Sequence, residues 1–404
     1  MEKLGEQKSP NMLLFFIVLF IFNLAASFAH PVTPTLIQTL NLHDYMFGLA
    51  LGSMLFVNFM FAPFWGKISD YIGSRTTLLI CSLGYALGQL FFGLARTELQ
   101  FVCARMFAGI FTGGTFVCFM TYIANCSPED KKGRDLAISV TLQNVGSAFG
   151  YFIGGMVGEL GAHCAVWLQV ATLAASGILF MLVMRNDAIE PLGNLNGHII
   201  KTQCNPFSAF WQCRKFMTKA MIVLFIFYGL TNLGYNAFDQ SFNYYLRDQF
   251  GLTSGYNGII KAALGVISIA ANSTICMWIL KKKNSTAYLV GVTAICTISM
   301  LGVILARELI PFIVVNILFF AFYFVSMPVT QDKVVKMGRG RDSNLVMGAF
   351  NSVKSFGGIF GALFAGFAYE INPRLPFVLG FLGFALALLF TMQFYKIEKQ
   401  SEKQ

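Results

Sequence analysis

The stretch Gly66-Lys67-Ile68-Ser69-Asp70-Tyr71-Ile72-Gly73-Ser74-Arg75 sets two bases, an acid and two glycines between two long apolar runs. A helix rises about 1.5 Å per residue, so about 20 apolar residues cross a hydrocarbon core ~30 Å thick. Charge confined to a short turn between two such runs therefore predicts a pair of membrane-crossing helices joined by a tight hairpin. The rest of the chain repeats the pattern. Of 404 residues, 56% are hydrophobic and 12% charged, against roughly 25% charged in a soluble chain. A water-facing surface cannot be made from that composition.

Unpaired backbone groups are too costly in lipid for anything but helices or a closed barrel, and runs this long without alternation predict helices. Twelve spans are expected, at about 12–37, 45–66, 76–95, 99–124, 135–158, 163–184, 219–245, 255–280, 286–306, 310–331, 343–369 and 375–394. The charged start MEKLGEQKSP has no small-residue cleavage site after it, so the first run reads as a retained span and not a signal peptide. Of the 29 lysines and arginines, three lie inside spans and four (Arg96, Arg247, Arg307, Arg374) fall on one side; the remaining 22 collect on the other. Basic residues favour the cytoplasmic side, which places both termini there. Topology and anionic lipid thus account for the +10 net charge, and nucleic-acid binding is not needed. Nine cysteines without CxxC spacing suggest packing residues, not a metal site or a disulfide frame.

A polar stretch at 186–218 separates six spans from six, giving an expected amino-terminal bundle over 1–185, a cytoplasmic central loop over 186–218, and a carboxy-terminal bundle with a short cytoplasmic tail over 219–404. The halves share sequence. Gly133-Arg134-Asp135 recurs as Gly340-Arg341-Asp342, a shift of 207 that also superposes Asn144 on Asn351, Gly150 on Gly357 and Gly154 on Gly361. The run IVLFIF of Ile17–Phe22 recurs at Ile222–Phe227, a slightly different shift in low-complexity sequence. Two parallel six-helix repeats put a binding site at the repeat interface near the midplane.

These residues resemble the major facilitator superfamily, and within it the twelve-span drug:proton antiporters. The family's second-to-third-loop pattern, G-x-L-a-D-r-x-G-r-k, matches Gly66, Asp70, Gly73 and Arg75, with Tyr71 and Ser74 in place of two bases. Its first-span pattern matches Leu24, Pro31, Val32 and Pro34; its fourth-span R-x-x-x-G matches Arg105 and Gly109; its fifth-span glycine row matches Gly146, Gly150, Gly154 and Gly155, with Tyr151 where the row has proline. The resemblance covers nearly the whole chain. It implies an all-α membrane protein of two pseudo-symmetric six-helix bundles, with Asp70 and Arg75 latching the loop to the eleventh span. Pro31, Pro34 and the glycines, with Gly357 and Gly361 in the second half, would serve packing or hinge motion.

Charges inside spans are costly and usually face a cavity. Arg105, Asp239, Lys261 and Lys354 stand out. Asp239 and Lys261 each lie about six residues, or ~9 Å, from the external end of adjacent spans and are expected to pair. Lys354, about eleven residues (~16 Å) into its span, sits beside Asn351 and Ser355 on a polar face. His30, just before the two prolines, is either a proton carrier or a satisfied, hydrogen-bonded histidine. Gln143, Asn144, Tyr151 and Tyr235 complete the expected substrate or coupling set, with Tyr228 a further candidate lining residue. More bases than acids among these groups favours anionic or zwitterionic substrates. There is no GxxxxGK[ST] for ATP and no nucleophile–base constellation, so neither cofactor, metal nor enzyme activity is expected. The expectation is a monomeric secondary transporter in a bacterial plasma membrane, exporting a small amphipathic compound against protons. A uniporter or symporter for an anionic metabolite, or a non-transporting sensor, are the alternatives.

Overall fold

The structure, a computed structural model, describes residues 11–191, 204–207, 214, 217–282, 284–338 and 343–401. The charged start, most of the expected central loop, the Gly340-Arg341-Asp342 repeat and the last residues of the tail lie outside the described residues.

The helices are α1 (Met12–Ala26), α2 (Thr33–Thr39), α3 (Met46–Ile72), α4 (Ser74–Leu94), α5 (Glu98–Cys126), α6 (Lys132–Gly158), α7 (Ala162–Val183), α8 (Lys219–Asp248), α9 (Ser254–Ala271), α10 (Met277–Leu280), α11 (Ser285–Leu305), α12 (Leu309–Gly338), α13 (Ser343–Ile371) and α14 (Leu375–Ser401). A π turn over Asn272–Cys276 joins α9 to α10. With α1–α2 and α9–α10 each taken as one interrupted span, twelve spans result, at the positions the sequence predicts. Ten of them are long and apolar enough to cross a bilayer outright. The other two are the broken first span and α13, where glycines and the polar residues Asn351, Ser352, Lys354 and Ser355 dilute the apolar run.

Helix starts carry side-chain caps that satisfy otherwise orphaned amides. Asn11 Oδ1 accepts from the Leu14 amide at 3.2 Å, Thr218 Oγ1 from Met221 at 3.3 Å and Asn284 Oδ1 from Ala287 at 3.4 Å.

The chain forms two compact units, one of residues 1–36, 56–206 and 253–262, the other of 37–55, 207–252 and 263–404. In the first, α1 packs on α6 and α7, and α4 packs on α5 and α7. In the second, α8 packs on α13 and α14, and α11 packs on α12 and α14. Counted in spans, every pairing of the first unit recurs six spans later.

Glycine is what lets these helices approach. A Cβ at Gly150 would strike the Leu24 carbonyl oxygen of α1, and one at Gly154 the Phe28 carbonyl oxygen just beyond that helix. At Gly357 it would lie 2.6 Å from the Gly229 carbonyl oxygen of α8, and at Gly361 it would strike that of Leu233. The partners Leu24 and Gly229, and Phe28 and Leu233, are 205 apart, while the glycines are 207 apart. The IVLFIF repeat, shifted by 205, therefore belongs to the same structural repeat.

Each unit also takes a segment from the other half of the sequence. Residues 37–55 pack in the second unit, where Gly48 meets the backbone of Ala362 and Gly366 and the Tyr45 amide donates to Glu370 Oε2 at 3.1 Å. There Tyr244 donates its hydroxyl to Asp44, and Tyr369 donates to Asp248 Oδ2 at 2.8 Å. Residues 253–262 pack in the first unit, where Gly155 crosses Gly258 and Glu159 caps α9 by accepting from the Gly255 amide.

Candidate functional site

The break in the first span follows from its prolines. Pro31 and Pro34 have no N–H to donate, so the carbonyls one turn earlier lose their helical partners. Regular helix stops at Ala26 and resumes at Thr33. The chain tightens there, with the His30 amide donating to the Ser27 carbonyl at 3.3 Å and the Thr33 amide to that of His30 at 3.4 Å, and the Ala26 carbonyl, left by the His30 amide, accepts instead from Gln169 Nε2 at 2.9 Å and from the Tyr85 hydroxyl at 3.4 Å.

A row of basic groups is threaded on this break. Arg105 of α5, 5% exposed, donates from Nη2 to Thr33 Oγ1 at 3.3 Å, and its guanidinium carbon lies 3.7 Å from the centre of the Phe92 ring. One turn before Thr33, the His30 ring stacks on Tyr151 with centroids 5.3 Å apart and planes 13° from parallel. Lys261 Nζ stands 5.8 Å from the centre of that same Tyr151 ring. Four residues expected from sequence (His30, Arg105, Tyr151 and Lys261) thus meet in the first unit. Tyr151, standing where the resembling motif has proline, becomes the surface on which two of them rest. Gln143 and Asn144 lie about two turns away on α6, with Gln143 Nε2 donating to Ser139 Oγ at 3.1 Å.

The remaining candidates belong to the second unit. Asp239 is buried on α8 and accepts from Gln240 Nε2 at 3.4 Å. Tyr235 stacks on Tyr323 at 4.0 Å, and Tyr228 on Phe350 at 3.9 Å. Lys354 and Asn351 are exposed on α13. They do not share the face of Phe360, Phe364 and Phe367, also exposed. At 100° per residue, Asn351 lies about 140–180° around the helix from the three phenylalanines and Lys354 about 80–140°, so Asn351 faces away from the apolar stripe and Lys354 lies to its side. Asp239 and Lys261, expected to pair, belong to different units.

The Gly66–Arg75 turn is held from within the first unit. Gly73 has φ +80°, a conformation that favours glycine, and a Cβ there would strike the Asn186 side chain. Asp70 Oδ2 accepts from Lys67 Nζ at 3.0 Å. The Arg75 Nε is buried without a hydrogen-bond partner among the described residues. Ser74, which departs from the resembling motif, is fully buried, and both its amide and its hydroxyl donate to Asp187 at 2.6 Å. Asp187 is thus the cap of α4. The Ile189 and Glu190 amides donate to the Asp70 carbonyl oxygen at 2.8 and 3.0 Å. No sequence signal links Asp187 to the turn, since it lies 113 residues from Ser74.

The sequence pattern described as Major Facilitator Superfamily matches residues 15–362. The chain belongs to the Major Facilitator Superfamily. Among members of this superfamily, Multidrug resistance protein 1 of Bacillus subtilis is 20% identical over 96% of this chain and 97% of its own length. The class B tetracycline resistance protein of Escherichia coli is 23% identical over 90% of each chain. The crystal structure of a bacterial homolog of the human lysosomal transporter Spinster, inward-facing and unoccupied, superposes with a TM-score of 0.79 at 12% identity, covering 95% of this chain and 96% of that one. Membership makes this a multi-span membrane protein of a transporter family.

Proposed function

We propose that this protein exports small amphipathic compounds in exchange for protons, by alternating access, from a bacterial plasma membrane with both termini in the cytoplasm. The observation that carries this reading is the discontinuous first span with His30, Arg105 and Lys261 gathered on it. Ionisable groups within a membrane mark substrate or proton pathways, and broken helices build transporter sites. The drug-resistance function named for the Bacillus and Escherichia relatives supports export. In this reading His30 and Asp239 are the proton-carrier candidates, and an Asp239–Lys261 ion pair breaks as substrate or proton binds. Asn144, Tyr235, Asn351 and Lys354 line the path, and Asp70 with Arg75 latches the Gly66–Arg75 turn to the eleventh span in one state. The protein acts as a monomer with no cofactor.

Inverted vesicles carrying the purified protein test the proposal. An imposed proton gradient, acid inside, should drive uptake of ethidium or tetracycline, and a protonophore should abolish it. Uptake indifferent to the gradient would exclude proton antiport. The basic row favours one second reading, proton symport or uniport of an anionic metabolite, which the same vesicles would reveal as movement in the opposite direction or without coupling.

A further inference from the structure

Arg105 is a buried charge with too few partners. A guanidinium has five N–H donors, yet among the described residues its only hydrogen bond is to the neutral Thr33 hydroxyl and no carboxylate of theirs lies within ion-pair distance of it. On α4, one turn after Tyr85, Gln89 is 0% exposed, and apart from the neighbouring Tyr85 hydroxyl nothing among the described residues engages its Nε2 or Oε1.

The two groups share one layer of the first unit. Helices α4 and α5 approach closely at Gly88, where a Cβ would lie 2.8 Å from the Ala108 backbone. Gln89 follows Gly88 directly, and Arg105 lies one turn before Ala108. Tyr85, Gln89 and Phe92 occupy positions i, i+4 and i+7 of α4, one buried face. Phe92 is the ring beneath the guanidinium, and Tyr85 is the hydroxyl that reaches the freed Ala26 carbonyl. Gln169 approaches from α7 with its Oε1 unpartnered among the described residues.

We propose that Arg105 and Gln89 receive the carboxylate of an amphipathic substrate at the break of the first span. The proposal rests on the transport reading above and adds the substrate's charge. Buried polar groups are normally satisfied, and water could satisfy Gln89 but could not neutralise Arg105. A carboxylate does both: it accepts two parallel N–H bonds from the guanidinium fork and a third from the glutamine amide. Two aromatic rings border the basic row and can take its apolar body, Phe92 under Arg105 and Tyr151 against His30 and Lys261. No member of this row is an acid, so a cationic head has no counter-charge there.

The test uses purified full-length protein in detergent with two probes of equal shape, 2-naphthoate and the neutral 2-naphthamide, read by thermal unfolding; chloride is titrated alone as the inorganic source of negative charge. The expected result is stabilisation by naphthoate and not by naphthamide. Arg105→Gln and Gln89→Met should each weaken naphthoate binding by about tenfold or more, the usual scale of a hydrogen bond to a charged group. Arg105→Lys, which keeps the charge without the fork, should fall between. If Arg105→Gln does not fold, the Gln89→Met and Arg105→Lys variants decide the matter. Equal stabilisation by both probes, no stabilisation by naphthoate, unchanged naphthoate binding in the variants, or an Arg105-dependent response to chloride alone would each overturn the proposal. Gradient-driven uptake of cationic ethidium is read separately, so export and anion recognition can fail independently.

Discussion

Replacing Gly357 by alanine should destabilise the second unit even though alanine is the better helix former. The added Cβ would sit 2.6 Å from the Gly229 carbonyl oxygen and 2.9 Å from Asn232 Cβ, where ordinary contact begins at 3.4 Å. The obstacle is backbone, so no side-chain rotation relieves it, and α8 and α13 must part by about 0.8 Å along that line. Overpacking of this kind costs about 1–3 kcal/mol. Alanine in a helix returns about 0.5–1 kcal/mol of that, leaving a net loss of up to about 2.5 kcal/mol. Gly291 of α11 supplies the control, because a Cβ there meets nothing within 4 Å; Gly291→Ala should gain the propensity term alone. Thermal unfolding of the two purified variants side by side isolates the contact cost as their difference. Gly150→Ala, whose Cβ would strike the Leu24 carbonyl oxygen, should match Gly357→Ala in sign. A Gly357→Ala protein as stable as Gly291→Ala would refute the close crossing of α8 and α13.

Asp187→Ala should cost about 0.5–2 kcal/mol by uncapping α4, with Asp187→Asn intermediate, both read by thermal unfolding; no loss would show that the Ser74 contacts contribute nothing. The Asp44 carboxyl is pushed above its usual range by burial, against the Tyr244 hydrogen bond and with the help of Asp248 and Glu370. A raised acid stabilises the docked form below its ordinary pKa and loses that contribution as pH rises through the raised value. Hydrogen exchange over residues 40–52, compared at each pH with Asp44→Asn, should therefore speed up in the parent as pH rises from acid toward neutral; a constant ratio would sink this. If Asp239 and Lys261 pair, Asp239→Lys and Lys261→Asp should each impair transport and the double swap restore part of it, whereas independent, additive losses would remove the pair.

The fold was legible because lipid restricts the choices. Apolar run length set the spans, and the positions of glycine marked where helices cross, since a close backbone approach tolerates little else. His30, Arg105 and Lys261 stood out because charge inside a span is rare. Gln89 and Gln169 did not, although a polar residue in an apolar helix is a signal of the same kind and Tyr85–Gln89 has the spacing of one helical face. Asp187 and the exchange of residues 37–55 and 253–262 between units depend on contacts across 96 or more residues, for which local pattern carries no information. Ser74 reads as the loss of a base and is instead a donor to Asp187.

An insertion of two residues inside a helix would rotate everything beyond it by about 200°. The difference between the 205 and 207 offsets therefore cannot have entered within a span without turning packed glycines toward lipid. It must have been taken up in a connecting turn between the first and fifth spans of a half. If the chain descends from a duplicated six-helix ancestor, its two copies have drifted out of frame while the crossings they encode stayed in phase. Chimeras that exchange spans between the halves should accordingly be cut in the turns, with each span kept in its own frame.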